Sequence, residues 1–145
     1  MTFITVIIIL SIDQLSKFLA VKNLALNEPR PVIDGFFYLT LVYNRGAAFG
    51  ILQNQIPFFI ICSLLALALI FMNLRKVGRS GRAGLYDFSL SLILAGGLGN
   101  LIDRLFSGHV IDFLDFRVWP VFNLADSAIT TGVILLGWAI LKGEK

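Results

Sequence analysis

The sequence predicts an all-α membrane protein, a bundle of four transmembrane helices with a small β-rich segment on its outer side. The first observation is composition: 57% of the 145 residues are apolar and 14% are charged, against about 25% charged residues in soluble domains. A soluble core of this size cannot bury so many apolar side chains, so the excess must face lipid. The second is that four apolar segments reach the roughly 20 residues that a helix needs to cross a bilayer. We expect one membrane domain over residues 1–145.

The four predicted helices cover residues 3–21, 56–74, 85–105 and 118–141. The first lacks the basic start and the cleavage pattern of a secretory signal, so we interpret it as a retained helix. The second carries no charge, and Pro57 in its first turn is typical of a helix start. The other three contain polar residues that a plain membrane anchor does not need.

The distribution of basic residues predicts the orientation. The linker 75–84 holds four Lys and Arg residues and no acid, so it should be cytoplasmic, and an even number of helices places both termini on that side. Segments 22–55 and 106–117 then lie outside.

Within the segment 22–55, residues 36–43 are rich in aromatic and β-branched side chains between two turn signals, which predicts a strand. The net charge of +3 is too small to indicate a nucleic-acid partner.

Charged and small residues inside the helices indicate buried contacts. Asp13 and Lys17 are four positions apart on the first helix and share a face, so we interpret them as a structural polar pair.

On the third helix, small residues at four-residue spacing would let helix backbones approach closely and turn Asp103 toward the interior. This stripe consists of Ser91, Ala95, Gly99 and Asp103.

Asn100, Asp103 and Arg104 lie within one turn of the third helix. Two interpretations remain open. Asp103 and Arg104 form a structural ion pair, or together with Asn100 they form the polar wall of a site.

Two further acids lie near the outer end of the bundle. Asp112 stands among large apolar residues, and Asp126 has no Lys or Arg within one turn, while Asn123 and Thr130 share its helix face. Two carboxylates in a low-dielectric site cannot both ionise, and such a pair can activate a water and protonate a carbonyl. Cys62 lies in the middle of a predicted helix with no His near it in the sequence, which argues against a catalytic thiol, and a single His allows no histidine metal cluster.

The residues alone leave three functions open. In the first, Asp112 and Asp126 are the catalytic pair of an aspartic peptidase. In the second, Asp13, Asp103 and Asp126 form the proton path of a small transporter or channel. In the third, the chain is a non-enzymatic membrane subunit. A proton path needs acids spread across the membrane, whereas most of these lie at the outer end. A purely structural subunit does not explain two acids without basic partners.

Five stretches resemble one family in its own order, the bacterial lipoprotein signal peptidases or signal peptidase II. They span nearly the whole chain, and together they are far more specific than any one alone. The stretches are DQLSK at 13–17, NRGAAFG at 44–50, GGLGNLIDR at 96–104, GHVIDF at 108–113 and FNLADS at 122–127.

The resemblance implies a peptidase of the bacterial cytoplasmic membrane, with its active site at the outer face beside a periplasmic β-rich cradle. Its substrate would be a prolipoprotein carrying diacylglycerol on a Cys, cut just before that Cys. We expect a monomer among membrane lipids that uses no cofactor or metal. The family's catalytic acids fall on Asp112 and Asp126. Its dyad-supporting and substrate-binding residues fall on Asn44, Asn100, Asp103, Arg104 and Asn123.

The stretch between the two catalytic motifs departs from the family by its shortness, since Asp126 follows Asp112 by only fourteen positions. We also expect the segment 44–53, with its glycines Gly46 and Gly50, to close over the site as a lid.

Overall fold

The computed structural model describes residues 2–46, 52–78 and 84–143 of the chain. Within these residues it has four long helices: α1 (Thr2–Asn23), α2 (Ile56–Gly78), α3 (Leu85–Ser107) and α4 (Leu124–Leu141). All four are long and apolar enough to cross a membrane. The protein is a multi-pass membrane protein, and the predicted four-helix architecture is confirmed.

Helix α3 is the centre of the bundle. More than half of its span (56%) is buried inside the protein, against 6% for α2, which lies at the edge. The predicted stripe of small residues on α3 is buried, as its position required. At Gly96 a Cβ atom would collide with the backbone oxygen of Ala125 on α4. Glycine at this position therefore lets α3 and α4 approach with their backbones in contact.

A three-stranded antiparallel sheet covers one end of the bundle. Its strands are β1 (Arg30–Ile33), β2 (Phe37–Asn44) and β3 (Val110–Asp115), in that order, with β2 in the middle. The predicted strand corresponds to β2. The sheet joins the bundle through a small core in which Ala20 of α1 packs with Leu41 and Phe113.

Strand β3 was not predicted, although Val110, Ile111 and Phe113 are strand-favouring residues. It starts directly after α3, because Gly108 caps that helix in the left-handed conformation with φ of 70°. Its pairing sets Asp112 opposite Val42 and Val110 opposite Asn44. The two segments predicted to lie outside thus form a single sheet.

The predicted start of the fourth helix at residue 118 was wrong, since α4 begins at Leu124. The chain first returns to the sheet, where the backbones of Leu114 and Phe122 exchange hydrogen bonds of 2.8 and 3.1 Å. Asn123 then caps the helix through its side chain. Backbone groups committed to the sheet are unavailable to a helix, so the helix starts one residue after the cap.

Candidate active site

Asp112 lies on β3 and is only 2% exposed. Its two carboxylate oxygens each accept a side-chain amide N–H, one from Asn123 at 2.7 Å and one from Asn44 at 3.0 Å. The Asn44 side chain is held in turn, because its oxygen accepts the backbone N–H of Gly46 at 2.9 Å. Asp112 is therefore fixed between the end of β2 and the start of α4.

Asp126 lies in the first turn of α4 and is partly buried. It forms a capping box with Asn123: the Asn123 oxygen accepts the Asp126 backbone N–H at 2.9 Å, and Asp126 Oδ2 accepts the Asn123 backbone N–H at 3.3 Å. The other oxygen, Oδ1, accepts the side-chain N–H of Asn100 on α3 at 2.7 Å. Because the box closes only at a helix start, the fold sets the position of this carboxylate.

Both acids line one cavity of about 240 Å³. Asn44, Asn100 and Arg104 also line it, with Thr130 further along α4. A second cleft of about 440 Å³ shares Asp126 and Thr130 with the first, and its walls are aromatic. The aromatic side chains of this cleft are Phe116, Trp119 and Phe122.

The electrostatics of the cavity favour a shared proton. Burial, and then the nearby charge of Asp126, raise the pKa of Asp112 from 3.8 to about 7. The hydrogen bonds from Asn44 and Asn123 and the charge of Lys17 lower the pKa of Asp112, but by less. Among the described residues neither acid forms a salt bridge. Near neutral pH the pair can hold one proton and one charge, which suits acid and base roles on one substrate.

Behind the cavity, Lys17 on α1 is 1% exposed. Its ammonium contacts Asp13 at 2.9 Å and Asp103 at 2.8 Å. Asp13 also accepts the backbone N–H of Ala125 at 2.9 Å, at the start of α4. A Cβ at Gly99 would collide with the Asp13 carboxylate, so this glycine lets α1 and α3 approach at the cluster.

Asp103 and Arg104 therefore do not form the structural pair that the sequence left open. Asp103 contacts Lys17 at 2.8 Å and accepts the backbone N–H of Ile111 at 3.1 Å, and among the described residues it forms no salt bridge with Arg104. Arg104 lines the cavity, with its guanidinium 5.1 Å from the centre of the Phe59 ring. Of the two, Arg104 faces the site and Asp103 supports it from behind.

A proton path across the membrane does not form from the three acids considered for it. Asp13 and Asp103 share the Lys17 ammonium, and Asp13 reaches the first turn of α4, which also carries Asp126. Asp13 therefore belongs to the same buried cluster as Asp103 and Lys17, beside the start of α4.

Sequence reasoning missed several residues at the site. Gln14 donates to both Asp103 (3.2 Å) and Asp13 (3.2 Å); it lies within the matched stretch at 13–17, but no role was predicted for it. The aromatic cleft was not foreseen either. Residues 47–51 of the predicted lid segment lie outside the described residues, whereas Asn44 and Gly46 line the cavity.

Comparison with known proteins identifies close relatives. A family model described as signal peptidase (SPase) II matches residues 5–142. The lipoprotein signal peptidase of Moorella thermoacetica is 50% identical over 135 residues, covering 93% of this chain and 89% of the relative. That of Halothermothrix orenii is 43% identical over 145 residues, covering 100% and 98%. Two solved structures of bacterial membrane enzymes, obtained by the in meso method at 2.3 and 1.9 Å resolution, superpose with TM-scores of 0.87 and 0.82. Each is 32% identical and covers 97% of this chain, and the matches cover 87% and 92% of the solved chains.

Proposed function

The chain belongs to the signal peptidase II family, and we propose that Asp112 and Asp126 are the catalytic pair of this aspartic peptidase. The enzyme removes signal peptides from prolipoproteins. The observation that carries the assignment is that both carboxylates line one cavity and each accepts an N–H from a side-chain amide. The hydrogen bonds hold the acids in place, and the cavity that both acids line, of about 240 Å³, would receive a water and a peptide carbonyl.

The proposed reaction uses one proton on the pair. The ionised carboxylate takes a proton from the water as the water oxygen attacks the scissile carbonyl carbon. The protonated carboxylate gives its proton to the carbonyl oxygen. When the tetrahedral intermediate collapses, the C–N bond breaks as one carboxyl gives the leaving amine the proton that came from the water. The other carboxylate takes a proton from one of the two hydroxyl groups as the C=O bond re-forms, so the pair again holds one proton. General acid–base assistance of this kind contributes about 10²–10⁴-fold to a rate.

The cavity-lining polar residues would position the substrate. Arg104 carries a fixed charge beside the acids, and Asn44 and Asn100 present amide groups at the same wall. We assign them to orienting substrate carbonyls and the two acids. Asn123 and Asp103 support the pair from behind the cavity.

The substrate we propose is a prolipoprotein whose Cys already carries diacylglycerol, cut just before that Cys. The aromatic cleft supports this proposal, because it opens beside Asp126 and is walled by Phe116, Trp119 and Phe122. An apolar wall next to the acids is suited to acyl chains arriving sideways from the bilayer. The enzyme would act as a monomer in contact with membrane lipids.

We place the enzyme in the bacterial cytoplasmic membrane with both termini cytoplasmic and the site at the outer face. The basic segment 75–84 comprises the last turn of α2 and the connection from α2 to α3. The proposed site lies where α3 ends and α4 begins, one membrane span away from that segment. The positive-inside rule therefore supports an outward-facing site.

The test is cleavage of a synthetic prolipoprotein peptide that carries diacylglyceryl-Cys, compared with the same peptide carrying an unmodified Cys. The purified enzyme in lipid should cut the first peptide just before the modified Cys and leave the second intact. Equal cleavage of both would overturn the lipid requirement. No cleavage of either by well-folded enzyme would overturn the proposed function.

A further inference from the structure

Lys17 has no room for a further partner. Its ammonium has three N–H groups, and three oxygens lie within hydrogen-bond distance. They belong to Asp13 (2.9 Å), Asp103 (2.8 Å) and the side chain of Asn100 (2.9 Å). The first two contacts neutralise charge, whereas the third is to an uncharged amide that faces the proposed catalytic pair.

That third contact determines which way the Asn100 amide points. An ammonium only donates, so the atom of Asn100 that faces Lys17 must be the oxygen. The amide nitrogen is then turned to the other side, where it donates to Asp126 Oδ1 at 2.7 Å. A rotated amide would instead set an oxygen against the carboxylate and an N–H group against the ammonium.

Asn123 strengthens the same arrangement. Its nitrogen donates to the Asn100 oxygen at 3.1 Å, which gives that oxygen two donors and fills its lone pairs. The Asn123 oxygen accepts the backbone N–H of Asp126, so the Asn123 nitrogen is the group that donates to Asp112. Two donors, the Lys17 ammonium and the Asn123 amide, thus hold the Asn100 oxygen in this direction and leave its N–H for Asp126.

We propose that Lys17 is a positioning residue for peptide cleavage, which holds the Asn100 amide so that its N–H donates to Asp126. The inference rests on the proposed function and adds to it a role for a residue first interpreted as half of a structural pair. Lys17 does not line the cavity, so it acts through Asn100 and not on the substrate. Its loss should therefore lower kcat and leave KM for the lipidated peptide nearly unchanged.

Removing Lys17 alone would leave Asp13 and Asp103 as buried, unpaired charges, which endangers folding. The test therefore uses Asp13→Asn as the parent. In the native cluster one positive and two negative charges sum to −1. In Lys17→Met with Asp13→Asn only Asp103 remains charged, and the sum is again −1. In Asp13→Asn the charges of Lys17 and Asp103 cancel, so comparing that parent with the double variant measures the loss of the ammonium together with its charge.

A double-mutant cycle separates positioning from packing. In the Asp13→Asn parent we expect Lys17→Met to lower kcat about 10²-fold, the order found for removing one preorganised donor. In the presence of Asn100→Ala, Lys17→Met should lower kcat by less than threefold, because the amide that Lys17 orients is gone. The proposal would be overturned if Lys17→Met lowered kcat equally with and without Asn100. Full activity of Lys17→Met with Asp13→Asn would also overturn it.

Asn100→Asp supplies a measurement that does not depend on the Lys17 variant folding. It keeps an oxygen for Lys17 and loses the N–H that faces Asp126, so it should lose kcat to the same extent as Asn100→Ala. An active Asn100→Asp enzyme would overturn the proposal. Every variant is compared with the unaltered enzyme on the lipidated peptide; failure of the unaltered enzyme to cleave would count against the proposed function instead.

Discussion

Asn123 and Asp126 form a reciprocal capping box at the start of α4, and the same Asn123 side chain donates to Asp112 at 2.7 Å. One residue therefore begins the helix that carries one proposed catalytic acid and holds the other acid in place. Since Asn123 is fully buried, its two tasks can be separated by choosing which of its groups to remove.

Asn123→Ser should keep the helix cap and lose the N–H to Asp112. We expect a small change in thermal stability and a loss of cleavage of at least tenfold. Asn123→Ala should lose the cap as well, which costs about 1 kcal/mol of stability, with activity no better than that of Asn123→Ser. Thermal unfolding in detergent and peptide cleavage give the two readouts. A fully active Asn123→Ser enzyme would mean that Asp112 does not need this donor.

Asp112→Asn and Asp126→Asn should each abolish cleavage, because an amide has the shape of the acid but cannot exchange the proton. The double variant should be scarcely worse than either single one, since both residues act in one unit. These variants should still insert and fold.

Asp115→Asn is the matched control, measured by cleavage at equal protein amounts. Asp115 is a buried residue on β3, the strand that carries Asp112. Its carboxylate accepts the Thr40 hydroxyl at 2.7 Å and does not line the cavity. It should retain substantial activity. An inactive Asp115→Asn beside an active Asp112→Asn would move the assignment to the other acid of β3.

Activity and stability should both depend on the proton bound near Asp112. Its pKa rises from 3.8 to about 7 because the site is buried and Asp126 is close. Between these values the folded state binds more protons than the unfolded state, so stability falls as pH rises through this window. Cleavage should decline above about pH 7, as the pair loses its shared proton.

Thermal unfolding across this pH window, measured for the unaltered enzyme and Asp112→Asn, checks the sign. The variant lacks the titrating group at this position and should lose less stability with rising pH. A steeper loss in the variant would contradict the assignment of the raised pKa to Asp112.

Gly99→Ala should be strongly destabilising, because its Cβ would collide with the Asp13 carboxylate in the Lys17 cluster. Gly137→Ala on α4 is the matched control. No atom lies within 4 Å of a Cβ built there, so it should be neutral or stabilising by up to about 1 kcal/mol. Thermal unfolding compares the stability of Gly99→Ala with that of Gly137→Ala. Equal stability of the two variants would show that α1 and α3 separate freely at Gly99.

The orientation can be tested with cysteines placed in a Cys62→Ala background. Glu28 is exposed in the connection between α1 and β1, and Ser80 lies in the basic linker. A membrane-impermeant thiol reagent should label Glu28→Cys in intact cells and label Ser80→Cys only after lysis. The opposite pattern would place the proposed site on the cytoplasmic side.

The four helices and the strand β2 could be predicted from local sequence patterns, apart from the start of α4. Residues 56–74 must be a membrane helix because an uncharged apolar run has no other way to satisfy its backbone in lipid. Residues 36–43 were recognised as a strand by their local composition. The five matched stretches also indicated Asp112 and Asp126 as the proposed catalytic acids.

The contacts between these elements could not be predicted, because they join residues far apart in the sequence. Strand β3 is stabilised by β2, whose Asn44 lies 68 positions from Asp112, and no local pattern encodes that pairing. The partner of Asp103 proved to be Lys17 on another helix. The direction of the Asn100 amide likewise depends on an ammonium 83 positions away. Helix formation follows from short-range backbone bonds and burial in lipid, whereas the direction of a buried hydrogen bond depends on every donor and acceptor that folding brings around it.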